Sequence, residues 1–251
     1  MHKRLFFYFY AMDGFDEMFF YRIHLSCLEY YANIFDEAVF VISVKDLNNA
    51  TLIEKVKHEI LNHFKCKRIS FKVHEDDDYH ESRVFYDMVY KKLDQLDGLT
   101  FFAHTKGVCN NEWHDVTLDW VLGLYWLSLS DVNDMVLNIV KKGNPFYGPF
   151  LTKFNTPDMM VNKYSALYGG TFYWFDAKKV KSFIGNKNVV LSNRWFTEFF
   201  PGEVCDVNLG LSSPSDKCLI SKFDGGFDDN FKYFIGQNKN KFNKFKRYIL
   251  N

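Results

Sequence analysis

A single-domain α/β fold, built on a mostly parallel central sheet flanked by helices, is what this sequence predicts, and three observations predict it. Apolar runs of strand length alternate with helix-periodic segments through the first hundred or so residues. Three successive β-α units then feed a fourth apolar run, an order that requires parallel strands joined by right-handed crossovers. No linker, internal repeat or low-complexity tract divides the 251 residues, a length that one core can serve.

Taken in order, Leu5 to Ala11 reads as the first strand, with Asp13-Gly14 as its turn. Its start is briefly like a secretory leader. The apolar run breaks at Asp13-Gly14 and Asp16-Glu17 and lacks a small-residue cleavage site, so the expectation is a cytoplasmic chain. Asp16 to Phe35 has helical periodicity, Ala38 to Val44 is a second strand, and Asn49 to Phe64 a second helix with Asn49 or Thr51 as cap. Arg68 to His74 alternates as a third strand, Glu81 to Leu96 is a third helix, and Leu99 to Ala103 a fourth strand. Further on, Val116 to Lys142 reads as one long or two stacked helices, Pro145 to Leu151 and Gly170 to Phe175 as strands, and Ala177 to Phe183 and Arg194 to Phe199 as short helices.

Composition narrows the function classes. The 19% aromatic content, with 28 Phe and 15 Tyr, argues for an ordered core. Lys+Arg and Asp+Glu are equal at 31 each, so no basic field points to nucleic acid. Cys27, Cys66, Cys109, Cys205 and Cys218 form no CxxC pair, and the eight histidines show no ligand spacing, so reduced thiols and no zinc site are expected.

The stretch Leu99-Thr-Phe-Phe-Ala-His-Thr-Lys-Gly107 carries the most chemistry. A strand that ends in His104, Thr105, Lys106 and Gly107 sets an imidazole, a hydroxyl, a cation and a permissive backbone at the sheet's carboxyl edge. Open α/β sheets bind ligands there. Lys and His supply charge and donors for a phosphate, and Gly admits close approach. The alternative is a solvated turn, and Trp113-His114-Asp115 nearby tilts the balance towards a site.

Other segments keep two readings each. Glu75-Asp76-Asp77-Asp78 reads first as a solvated loop entering a helix N-terminus, which the macrodipole favours. Its alternative is oxygen ligation of Mn2+ or Mg2+ through Asp76 and Asp78. Arg83 is either a diphosphate contact or a surface helix charge. In Tyr164-Ser-Ala-Leu-Tyr-Gly-Gly-Thr-Phe-Tyr-Trp-Phe-Asp176, Gly170 allows an unusual backbone path, Thr171 offers a hydroxyl and Trp174 a flat face for a sugar ring. Strand alternation puts about half of these side chains in the core. Arg194 and Glu198, at i,i+4 in a helix, either pair with each other or leave Glu198 as general base on an acceptor hydroxyl. Residues 228–251, rich in Phe and Lys, form either a helix packing its Phe face on the domain at 1–227 or a contact with an anionic membrane surface.

Taken together, Phe102 to Gly107, Trp120, Tyr164 to Trp174, and Arg194 with Glu198 resemble a group of bacterial and viral polysaccharide-building glycosyltransferases. That group has a strand ending in His-Thr-Lys-Gly, a Trp-containing helix, a Tyr-Ser-Gly-Asn-Phe-Trp-Trp-like strand and an Arg…Glu element, in this order. The resemblance implies a GT-A-like fold that moves a sugar from a nucleotide-sugar donor to a glycan or lipid-linked acceptor, as in capsule or lipopolysaccharide assembly. On that implication Asp13 and Ser43 lie near the nucleoside. Arg83, His104, Thr105, Lys106 and Gly107 face the diphosphate, and Tyr164, Gly170, Thr171 and Trp174 line the sugar or acceptor pocket. Glu198 is the base, with Arg194 orienting it or binding donor phosphate. Gly169-Gly170-Thr171 departs from the group's Ser-Gly-Asn, and no Asp-x-Asp follows the fourth strand. Lys106 and His104 are therefore expected to neutralise the leaving diphosphate in place of a metal ion. The rival functions are a Rossmann-like enzyme acting on another phosphorylated ligand, against which the absence of GxGxxG and a P-loop counts, and a non-catalytic carbohydrate-binding or assembly subunit.

Overall fold

The computed structural model of the chain describes residues 1–106, 108, 115–153, 166–205, 211–213 and 236–251. Strand β1 (Lys3–Tyr10) is apolar on both faces because both are covered. Leu5, Phe7 and Phe9 face one core, and Phe6 and Tyr8 face a second. Around β1 run β2 (Glu37–Val44), β3 (Arg68–Glu75) and β4 (Leu99–His104), all in parallel, with β1 between β2 and β4. The sheet is completed in the order β3-β2-β1-β4-β8-β5-β9. Here β8 (Tyr173–Asp176) is antiparallel to both β4 and β5 (Phe146–Tyr147), and β9 (Leu211–Ser212) is parallel to β5. A separate two-stranded ribbon pairs β6 (Leu151–Lys153) with β7 (Ala166–Tyr168). The expected α/β class with a mostly parallel sheet is therefore observed, with antiparallel pairing among the described residues confined to β8 and the ribbon.

Helices cover both faces. On one lie α1 (Phe19–Tyr31), α2 (Ala50–His63), α4 (Asp115–Leu129) and α8 (Lys239–Leu250). Asn49 caps α2 by accepting from Leu52 N–H at 3.1 Å. On the other face lie α3 (Glu81–Val84), which continues as a π turn over Phe85–Val89, and α6 (Ala177–Ile184) and α7 (Phe196–Val204). Of the two readings of Val116 to Lys142, two helices are observed, because the chain breaks at Ser130-Asp131 before α5 (Val132–Val136). α4 is apolar nearly all round since α8 packs on its outer side, with Phe242 against Trp126 at 5.3 Å. Phe242, Phe245 and Ile249 of α8 are buried, and Phe245 meets Tyr30 at 5.2 Å. Phe242 and Phe245 thus pack on the domain, while Lys239, Lys241, Lys244 and Arg247 point outward. Among the described residues no helix is long and apolar enough to cross a membrane.

Candidate functional site

At the carboxyl edge of β1 and β4 the sheet opens into a cavity of about 310 Å³, bounded by Tyr8, Tyr10, His80, Glu81, His104, Thr105, Lys106, Trp120, Arg194 and Trp195. Two backbone links fix its floor. Thr105 N–H donates to Tyr8 O at 3.0 Å, and Tyr10 N–H donates to Thr105 Oγ1 at 3.0 Å, so the strand ends stay joined beyond the regular ladder. Lys106 is held from behind by a buried relay. The His24 ring donates through Nε2 to Lys106 O at 2.8 Å and accepts at Nδ1 from Tyr125 OH at 2.7 Å. Burial holds this imidazole neutral, down to about 4, so it acts as a fixed spacer and not as a second cation.

The Lys106 ammonium stands 4.9 Å over the Trp120 ring and 3.6 Å from Glu198 Oε1. The same Oε1 accepts from Gly170 N–H at 3.1 Å. Gly170 has φ +86°, and a Cβ there would meet Leu124 at 3.0 Å and Trp120 at 3.4 Å, so glycine is required by conformation and by space. Arg194 stacks 4.4 Å over Trp195 at the opposite rim. Ser82 Oγ ties that rim to α3, donating to Arg194 O at 2.8 Å and meeting Thr197 Oγ1 at 2.8 Å. Beside Ser82, the partly buried Glu81 faces Lys106, Glu198 and His80. Desolvation pushes its carboxyl up to about 7, with Glu198 adding to the rise and Lys106 and His80 opposing it.

One step away, Asp76 directly follows β3, with its side chain only 8% exposed. Its carboxylate accepts from Tyr8 OH at 2.8 Å, from Ser43 Oγ at 3.4 Å and from His80 Nδ1 at 3.1 Å. Burial pushes the Tyr8 phenol far up, which keeps its O–H available as the donor. A second hollow of about 280 Å³ lies at the ends of β1 and β2, bounded by residues that include Asp13, Lys45, Asp46 and Asn49. A larger open depression at His2, Asp36 and Arg68 sits at the amino edge of the sheet, away from these groups.

No protein-family model matches this sequence, and no curated protein matches it. Among solved structures the chain is similar to the crystal structure of 4-diphosphocytidyl-2C-methyl-D-erythritol synthase, with 9% sequence identity and a TM-score of 0.42, over 94% of this chain and 97% of that one. A likeness of that degree carries no functional weight, and function is read from the cavity.

Of the residues singled out in the sequence, the structure brings together His104, Thr105, Lys106, Arg194 and Glu198 around the first cavity, and Asp13 borders the second. Gly107 and Tyr164 lie outside the described residues, as does the boundary at 227–228. Several others do other work. His104 is 6% exposed and donates from Nε2 to Gly170 O at 3.0 Å. Burial, then Lys106, holds it well below the usual imidazole range, so it orients Gly170 and is no cation for a phosphate. Trp174 is fully buried, donates to Ser128 O at 2.9 Å and stacks on Phe35 at 5.6 Å; it is a core residue, not a sugar platform. Thr171 is also fully buried and borders neither cavity. Ser43 is fully buried and reaches the site through Asp76 and the Tyr8 side chain. Arg83 turns away to Asp77, 2.9 Å from its Nε, with Tyr79 under its guanidinium, which is the surface-charge alternative.

Arg194 and Glu198 do not form the helical pair, because α7 begins at Phe196 and Glu198 turns to Lys106. Asp76 and Asp78 are not brought together as a ligand pair. Asp76 is already filled by three donors, Asp78 is exposed, and the described residues contain no cluster of three suitable ligands. His80, Glu81, Tyr10 and Trp195 were missed. The available signal was position: His80-Glu81 opens the helix after β3, at the same sheet edge as Lys106.

Proposed function

We propose that the protein is a nucleotide-sugar-dependent glycosyltransferase with a GT-A-like fold, moving a sugar to a glycan or lipid-linked glycan acceptor. The observation that carries this is the pair of cation-on-indole units, Lys106 on Trp120 and Arg194 on Trp195, facing one cavity at the carboxyl edge. A diphosphate leaving group needs fixed positive charge in a partly dry site, and Lys106 is held by Glu198 and Trp120 before any ligand arrives, with the exposed Arg194 at the rim. The indoles also offer apolar edges of the kind sugar C–H faces pack on. The neighbouring hollow with Asp13, Asp46 and Asn49 has the donors and acceptors to hold a nucleoside. Glu198 contributes by anchoring Lys106 and Gly170 N–H.

In this reading charge neutralisation falls to Lys106 and Arg194. A calorimetric panel of UDP-, GDP-, CMP- and dTDP-sugars, with and without EDTA, tests the assignment. One selective donor bound equally in both conditions supports it. No binding refutes it and would favour a non-catalytic assembly subunit, while binding that requires Mn2+ would overturn charge neutralisation by Lys106 and Arg194 alone and return Asp76 and Asp78 as candidates.

A further inference from the structure

The geometry points to a catalytic Asp76–His80 dyad, with His80 Nε2 as the atom that takes the proton from the acceptor hydroxyl during transfer. It deepens the glycosyltransferase assignment above and depends on it. Three observations place the base here. The His80 ring borders the cavity that contains Lys106 and Arg194. Its Nδ1 lies 3.1 and 3.2 Å from the two oxygens of Asp76, so Nδ1–H is the donor and the lone pair remains on Nε2. Asp76 is itself held by Tyr8 OH and Ser43 Oγ from two central strands, which fixes the ring's orientation as the third member of a triad does. The backbone adds a fourth. His80 sits at φ +48° and ψ −130°, a conformation costly for a residue with a Cβ, and the fold maintains it at the cavity's border.

The step is a single displacement. The acceptor oxygen forms a bond to the anomeric carbon while its proton passes to Nε2. The anomeric carbon–phosphate oxygen bond breaks, and its electron pair leaves on the nucleoside phosphate, stabilised by Lys106 and Arg194.

His80→Gly is the decisive variant, since glycine adopts the observed backbone freely and removes only the ring. The assay is release of nucleoside phosphate from whichever sugar nucleotide binds the wild-type protein, with water as acceptor. Turnover is expected to fall about 10²–10⁴-fold, with the donor Kd little changed, and free imidazole should restore part of the rate. Nitrogen-15 NMR of histidine-labelled protein, assigned with His80→Asn, should show neutral His80 as the Nδ1–H tautomer. An Nε2–H tautomer overturns the dyad. Turnover within about threefold of wild type overturns the catalytic role, as does a loss that imidazole does not rescue, and so does a loss seen in Glu81→Gln while His80→Gly stays active. If no sugar nucleotide binds the wild-type protein, the transferase assignment itself fails, and the NMR result still reports separately on the Asp76–His80 geometry.

Discussion

Replacing Glu81 by Gln should stabilise the protein at pH 8 while leaving its stability near pH 4.5 almost unchanged. In the fold, desolvation raises this carboxyl from 4.5 to about 7. The native state therefore binds more protons than the unfolded chain between these values, and stability contributed by Glu81 is lost as pH rises. The full difference corresponds to roughly 3 kcal/mol. Because Glu81 borders the open cavity, solvent screening reduces the expected gain to about 2 kcal/mol. The wild-type protein alone does not isolate this effect, because His24 works in the opposite direction. Its imidazole, held down to about 4 by burial, makes the unfolded chain the better proton binder between about 4 and 6.5, so stability rises with pH there. The difference between variant and wild type cancels the His24 contribution. Urea unfolding of both at half-unit intervals from pH 4 to 8.5 is the assay. A difference that stays flat across this range, or a variant less stable at pH 8, would refute the placement of a desolvated Glu81 beside the cavity.

Lys106→Met leaves the 7%-exposed Glu198 side chain without its cation and should cost about 1–3 kcal/mol in denaturant unfolding, with donor binding weakened at least about tenfold in calorimetry. Unchanged affinity would remove Lys106 from the site. Gly202→Ala separates propensity from packing. Helix propensity alone favours alanine by about 1 kcal/mol, but a Cβ would fall 2.1 Å from Ala166 O, so a loss of about 3 kcal/mol or more is expected by thermal melting. Trp174→Ala should destabilise by about 3–5 kcal/mol as a core truncation. A stable variant that loses only ligand binding would instead return Trp174 to the pocket.

Much of the candidate site was legible because it lies at strand ends that announce themselves. The apolar run into β4 stops at His104-Thr105-Lys106, and a parallel sheet makes that edge a binding edge. Which of those side chains could carry charge was not legible. His104 and Lys106 are two residues apart on one strand end, yet one is sealed against Gly170 O and the other stands over Trp120. The aromatic segment before Asp176 misled for a related reason. Alternation identifies two faces, and here both faces of β8 are buried, so Trp174 packs into one core and Tyr173 into the other. Arg194 and Glu198 were separated by a local event, the start of α7 after Trp195, which freed Glu198 to meet a lysine from another strand.

By itself, the sequence determined the α/β class, the parallel β1–β4 core and the edge where chemistry gathers. Each follows from periodicity or from a single residue's conformational preference, which are short-range properties. Only the tertiary structure decided that Asp76, His80 and Glu81 converge on Lys106, that two indoles hold the cations, and that Trp174 is core. Those outcomes depend on which elements the crossovers bring side by side, and on how far burial at that junction removes water from each charge.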